Sequence, residues 1–372
     1  MDFDWRKIRA EFPSLERWTF LNTATFGQMP RRAAEAAGRH FERRTELACT
    51  DFLSWFDDMD GMRVSIGQLI HAAAEDIAFI PNACTGLSLL LGGIDWREGD
   101  RIVTLEDEFP NQVYYAQHLR ARGVELVEAP MARLAEAITP RTRVVTVSTV
   151  NYSTGYRTPL EEVSAMARSR GALLYVDGTQ SLGALQFDVR AVRPSVLAVD
   201  GYKWMLSPNG AGFLYVEPAV REWLQPSVIG WRSHRGWRNP ENLHHGAPEF
   251  AAAAEKYEGG MVPFPSLYAM NECVRMMLEI GPGRIEQRVM ELAGQVRDAL
   301  RRAGGSIVNC DSPIVTATFP GRDAEAIAAA LMRDRIVVAA RKGNLRVSPH
   351  FYNDEEDVAK MELGLRNAKG AP

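Results

Sequence analysis

Between residues 76 and 200 the chain repeats one pattern, a short apolar run with no polar alternation followed by a stretch of helical periodicity. The runs "DIAFI", "DRIVTL", "RVVTVST", "ALLYVD" and "SVLAVD" are spaced by helical stretches such as "TGLSLLLGGI", "NQVYYAQHLRARG" and "LEEVSAMARSRG". A strand that is apolar throughout has to be covered on both faces. The intervening helices provide that cover and the long crossovers that parallel strands require. The pattern therefore predicts an α/β fold, a doubly wound and mostly parallel sheet between layers of helices.

The rhythm breaks after "NGAGFLYVEP". Residues 228–250, rich in Gly, Pro, Trp and His, are too long for an ordinary connection and predict a functional loop. Helical patterns and the runs "PIVTATF", "IVVAAR" and "LRVSPHF" then predict a smaller α+β domain. With 372 residues there is room for two cores. The expected division is an N-terminal arm 1–20, a large domain 21–262 and a small C-terminal domain 263–372.

A composition of 46% hydrophobic and 24% charged residues excludes disordered and fibrous classes. The net charge of −4 gives no reason to expect nucleic acid or an anionic membrane as partner. The start has no apolar signal region, and no run is long enough to span a bilayer, so a cytoplasmic protein is expected. Cys49, Cys84, Cys273 and Cys310 are scattered without C-x-x-C spacing, and adjacent His244 and His245 would point apart in an extended segment; no metal site is expected.

In doubly wound sheets, ligands bind beyond the carboxyl ends of the strands. "ALLYV" ends at Asp177, followed by Gln180; "SVLAV" ends at Asp200, with Tyr202 and Lys203 just beyond. After "AFI" a small-residue loop enters an apolar helix at Ala83, Cys84 and Thr85, whose free N–H groups would favour a phosphate. Phe109 follows "RIVTL" and an acidic turn, where an aromatic face could cover a planar ligand. Each feature alone has a plainer reading: a surface ion pair, an ordinary N-cap, core packing. Together they supply an amine, an acid, a phosphate cradle and a ring face, the four requirements of pyridoxal 5′-phosphate.

The same residues resemble the class V aminotransferase superfamily, the cysteine desulfurase-like branch of fold-type I enzymes that use pyridoxal phosphate. The likeness runs from "FLNTATFGQMP" to "LRVSPHFYNDEEDV". It implies that Lys203 is the Schiff-base lysine, that Asp177 partners the pyridine nitrogen and that Gln180 bonds the phenolic oxygen. It further implies that Tyr202 contacts the phosphate, Phe109 stacks on the ring and Arg346 clamps the substrate carboxylate, with Asn22 and Asn151 or Tyr152 nearby. Relatives are usually homodimers, so a dimer with interfacial active sites is expected.

The chain departs from that pattern in places. Cys84 replaces a threonine of the phosphate loop, Asp200 stands where many relatives have a phosphate-binding serine, and Gly259-Gly260-Met261 replaces a "GT" segment that reaches the partner's phosphate. The segment "RKGNL" before Arg346 holds no cysteine, whereas related desulfurases of one group form their persulfide on a cysteine there. Cys310 lies in a different segment and reads as a buried or strand-edge thiol. The expected activity is removal of the α-proton of an amino acid followed by β-elimination, a C–S lyase. Transamination, epimerisation and, last, a cofactor-binding scaffold without catalysis are the alternatives.

Overall fold

The computed structural model describes residues 3–368 apart from 244 and 310, so the readings of Cys310 and of His244 lie outside the described residues. Seven strands form the main sheet: β1 (Ile77–Ile80), β2 (Arg101–Leu105), β3 (Glu125–Ala129), β4 (Thr142–Ser148), β5 (Leu173–Asp177), β6 (Val196–Asp200) and β7 (Gly212–Val216). Their order is β1-β7-β6-β5-β4-β2-β3. The five strands β6, β5, β4, β2 and β3 run parallel, and β7 lies antiparallel between β6 and β1. The fold is the expected doubly wound α/β architecture.

The helices used below are α1 (Arg31–Glu46), α2 (Phe52–Ile70), α3 (Ala83–Gly92), α4 (Pro110–His118), α5 (Leu160–Ser169), α6 (Phe264–Ile280), α7 (Pro282–Arg302), α8 (Ala324–Arg333) and α9 (Glu355–Asn367). One face of the sheet packs Val103, Val145, Val176 and Leu197 against α2, α5 and α6; the other packs Ile102, Val144, Tyr175 and Ala198 against α3 and α4. Both faces are thus buried, which is why successive strand residues are apolar. β3 escapes the sequence reading because it is the edge strand: Glu125 is exposed and its neighbours only half-buried, so "ELVEA" keeps polar residues.

The C-terminal region carries a four-stranded antiparallel sheet of β8 (Ser306–Asn309), β9 (Val315–Thr318), β10 (Ala339–Arg341) and β11 (Asn344–Val347), in the order β10-β11-β9-β8. The run "IVVAAR" is split. Ile336–Val337 pairs in parallel with Thr19–Phe20 of the arm, and only Ala339–Arg341 joins the sheet. Leu267, Met270 and Val274 of α6 pack in the large core, as do Ile285 and Val289 of α7, whereas Leu292, Val296 and Leu300 of α7 pack in the small one. We therefore propose a boundary inside α7 instead of at residue 263.

The loop 228–250 is anchored on α2. Trp237 is buried edge-on against Phe56 at 4.7 Å, and Arg238 pairs with Asp57 and Asp60. Arg232, fully buried, shares Glu258 with Arg63.

Candidate active site

Because β1, β4, β5 and β6 point the same way, their carboxyl ends meet along one edge of the sheet. There Ala83, Phe109, Asp177, Gln180, Asp200 and Lys203 line one cavity, together with Tyr202, Tyr152 and Ser148. A roomier groove bordered by His71, Arg157, Asp188 and Leu278 shares no residue with it and contains no lysine.

Lys203 is held by its backbone. The Tyr202 carbonyl accepts the Gly27 N–H at 2.9 Å, and a Cβ on Gly27 would stand 2.0 Å from the Lys203 carbonyl oxygen. The Trp204 carbonyl accepts from His350 Nε2 at 2.8 Å, and the Trp204 indole N–H donates to Gln180 Oε1 at 3.0 Å. Gly183, at φ +99°, permits an equally close approach, since its Cβ would lie 2.1 Å from the same Trp204 oxygen. Gly201 has a local reason: its Cβ would meet Ser207 Oγ at 2.1 Å and the Ala211 carbonyl at 2.5 Å, so it is required by the turn itself and not by a ligand.

The Lys203 ammonium lies 5.7 Å from the Phe109 ring centroid and 5.4 Å from that of Tyr202, and among the described residues no carboxylate comes within 4.0 Å of it. Burial pulls its pKa down to about 8; Asp177 and Asp200 act against that shift, and the charges of Arg346 and Arg341 add to it. Asp177 is buried at the end of β5, with Oδ1 accepting the Thr179 N–H at 2.9 Å, and burial raises its pKa.

Two further acids lie near enough to Asp177 to feel its charge: Asp200, which lines the cavity, and Glu108, which lies behind it. Glu108, buried, accepts the Ser148 N–H and Oγ–H at 2.7 and 2.6 Å, and burial pushes its pKa up to about 7. Ser148 sits opposite Asp177 in the β4–β5 register, so Glu108 couples the Phe109 turn to the Asp177 strand. Asp200 is likewise raised to about 7, by burial and then by the Asp177 charge, and its Oδ1 is buried without a hydrogen-bond partner.

At the head of α3, Asn82 caps the helix: its Oδ1 accepts from the Thr85 N–H at 2.9 Å and the Thr85 hydroxyl at 3.1 Å. Thr85 is thereby occupied; of the three predicted positions at this helix head only Ala83 lines the cavity, where its N–H points toward the Asp200 carboxyl, while Cys84 and Thr85 lie outside the lining. Gln180 donates one N–H to the Ala24 carbonyl at 3.1 Å while accepting from Trp204.

Arg346, buried on β11, donates to the Tyr152 carbonyl at 2.5 Å and to Thr25 Oγ1 at 2.6 Å, with Asn22 Oδ1 at 3.5 Å. Its Nε is buried without a partner, and no carboxylate pairs with it among the described residues. Burial and the Arg341 charge bring its pKa down to about 9, still protonated at neutral pH. Asn22 therefore sits beside the guanidinium. Asn151 does not: its Oδ1 accepts from the Ser153 N–H and hydroxyl and the Thr154 N–H, and its Nδ2 donates to the Asp107 carbonyl. That side chain folds its own loop, and of the two alternatives Tyr152 is the one that faces the cavity, its ring edge-on to Phe109 at 5.2 Å. No described residue of 228–250 lines this cavity.

Glu108, Thr25 and His350 were not singled out from the sequence. His350 is fully buried, with Nδ1 accepting the Phe351 N–H, which fixes the proton on Nε2. The motif "SPHFYN" contained it, but its partner is 146 residues away.

An amine free of ion pairs, a buried acid, an unfilled helix head and a ring face meet at one cavity, and the orphaned Asp200 Oδ1 and Arg346 Nε mark unfilled polar positions. This donor set fits pyridoxal phosphate. The sequence matches the family described as Aminotransferase class-V over residues 53–361. The chain belongs to the class-V aminotransferase family. Among curated class-V relatives, isopenicillin N epimerase of Streptomyces clavuligerus is 28% identical, covering 97% of this chain and 98% of that protein. A probable cysteine desulfurase of Methanothermobacter thermautotrophicus is 24% identical over 98% of both. Of solved structures, the cystine C–S lyase C-DES in complex with cysteine persulfide superposes with a TM-score of 0.88, at 23% identity over 96% of this chain and 99% of that one. A cysteine desulfurase from Thermococcus onnurineus NA1 gives 0.89 at 21% identity over 100% and 99%.

Proposed function

We propose that this class-V, pyridoxal-phosphate-dependent enzyme acts on a sulfur-bearing α-amino acid as a C–S lyase. The observation that carries the reading is the hairpin between β10 and β11. Arg341 pairs directly with Asn344, so the turn is only Lys342-Gly343, both at positive φ, and Lys342 Nζ closes onto Asp107 at 2.6 Å. So short a tip offers no loop to carry a sulfur-accepting cysteine, and the fold likeness to a cystine C–S lyase supports the same conclusion.

Bound pyridoxal phosphate supplies the electron sink for the charge left at Cα. The residues of the chain supply the rest. Lys203 anchors the cofactor and, with burial holding its pKa near 8, has a neutral fraction able to take the α-proton at physiological pH. Asp177 keeps a proton on the ring nitrogen, with Thr179 fixing one of its oxygens. Phe109 would cover the ring, and the N–H that Gln180 does not give to Ala24 would be free for its phenolic oxygen. Arg346 takes the substrate carboxylate through two N–H groups, which fixes the α-hydrogen relative to Lys203 and lowers the entropic cost of reaction. Ala83 and Tyr202, with the Cys84 backbone beside them, would hold the phosphate.

Product analysis tests the proposal. Incubation with cystine and S-substituted cysteines should yield pyruvate and ammonia, and borohydride reduction should leave the cofactor on a Lys203 peptide that Lys203→Ala loses. A keto acid with aminated cofactor would replace the lyase by a transaminase. Racemisation without pyruvate would favour epimerisation, the reading to which the Streptomyces clavuligerus relative points.

A further inference from the structure

Asp200 sits where a phosphate-binding site should have no carboxylate. It ends β6, lines the cavity beside Ala83 at the head of α3, and keeps Oδ1 buried with no hydrogen-bond partner. Its backbone is fixed: Thr179 Oγ1 accepts the Asp200 N–H at 3.0 Å, and the residue pairs with Gly212 across β6 and β7. The carboxyl therefore has little freedom to leave the cradle. The Thr85 hydroxyl is already given to Asn82, so at the head of α3 the cradle offers little side-chain donation, and Tyr202 is the hydroxyl left on its wall. We propose that Asp200 is the proton-carrying partner of the cofactor phosphate, its carboxyl protonated in the complex and donating a hydrogen bond to a phosphate oxygen.

The surroundings favour the neutral form. Asp177 faces Asp200 from β5, Lys203 and Tyr202 from the turn on its own strand, Tyr175 from the same strand as Asp177 and the Ala83 N–H from the head of α3; Lys203 and the Ala83 N–H favour the charged carboxylate, but burial and Asp177 outweigh them. One lysine cannot offset two ionised carboxylates and a phosphate dianion in a buried site. Burial and Asp177 already raise Asp200 to about 7 without the phosphate, and a second anion raises it further. Phosphate binding then draws one proton from solvent to Asp200. A group raised on binding supports the complex fully below its unliganded pKa and loses that support as pH rises toward its pKa in the complex. Affinity should fall above about pH 7.

The test uses apoprotein and 4-deoxypyridoxine 5′-phosphate, which has no aldehyde and so removes Lys203 attachment from the measurement. Its dissociation constant is measured from pH 7 to 9 by fluorescence for wild type, Asp200→Asn and Asp200→Ser. Asparagine and serine are neutral donors that do not lose a proton in this range. In wild type, binding weakens by up to about tenfold per pH unit beyond whatever slope the variants share. At pH 9 Asp200→Asn, Asp200→Ser or both bind at least about tenfold more tightly than wild type. Both variants tracking wild type at every pH, or both binding more weakly at pH 9, overturns the inference while leaving the cofactor assignment intact. Failure of the probe to bind any of the three proteins removes both.

Discussion

Arg346 is a charged side chain buried on a strand with its Nε unpaired, an arrangement that costs stability unless a ligand completes it. Its Nη groups rest on Tyr152, Thr25 and Asn22, none of them negative, so the guanidinium is oriented but not neutralised. A substrate carboxylate replaces that missing charge. Arg346→Ala should therefore raise KM for the amino acid about 30- to 100-fold, the equivalent of ~2–3 kcal/mol for a paired, charge-assisted contact. Cofactor affinity, read by fluorescence titration, should change little. Equal loss of both would mean that Arg346 serves the fold or the cofactor instead of the substrate. Thr25 and Asn22 orient this arginine from more than three hundred residues away along the chain, and neither interaction has a local sequence signal. Lys203, Asp177 and Asp200 were legible because each follows an apolar run whose end is visible in the sequence. Glu108 is one of three acids in the turn before Phe109, with nothing in the sequence to set it apart, and it is buried and bonded to Ser148.

At the scale of elements, the sheet was readable and the clasp around the lysine turn was not. Strands buried on both faces betray themselves by composition, whereas the segment 348–353 acts through contacts that sequence periodicity cannot encode. Its His350 bonds the Trp204 carbonyl, stacks near Tyr352 at 5.3 Å and has no room for a second proton, because Nδ1 already accepts from Phe351. Burial drops the His350 pKa from 6.5 to about 3. With the folded value below the unfolded one, its contribution is complete above pH 6.5 and is lost as pH falls toward 3. Wild-type stability should therefore decline between pH 6.5 and 4 by up to ~1.4 kcal/mol per unit more than that of His350→Gln, which cannot titrate. The variant is the less stable protein at pH 7.5, and the gap narrows on acidification. Parallel denaturation curves at the two pH extremes would show that His350 is not the titrating group.

Across the whole molecule, the segment 19–27 links the C-terminal region to the lysine turn. Thr19–Phe20 pairs with Ile336–Val337, Asn22 bridges Ser348, and Gly27 abuts the Lys203 turn. A second feature faces outward. Val228 and Ile229 adjoin the Gly259-Gly260-Met261 turn, a Cβ on Gly259 would lie 2.9 Å from Val228, and Ile229 and Met261 are 58% and 60% exposed. Their backbone is well anchored, through Arg232 N–H to the Gly259 carbonyl and Arg232 Nη1 to that of Gly260, so this apolar edge is held out deliberately and not by looseness. A partner of the same kind is the simplest cover for it. The protein should sediment at twice the 41.4 kDa chain mass, and Ile229→Glu combined with Met261→Glu should shift it toward monomer. If the covering copy also completes the phosphate site, the monomeric variant will hold pyridoxal phosphate about tenfold or more weakly while keeping its far-UV circular dichroism. A wild type that sediments as a monomer at micromolar concentration would end the dimer reading, and the turn would then need another partner.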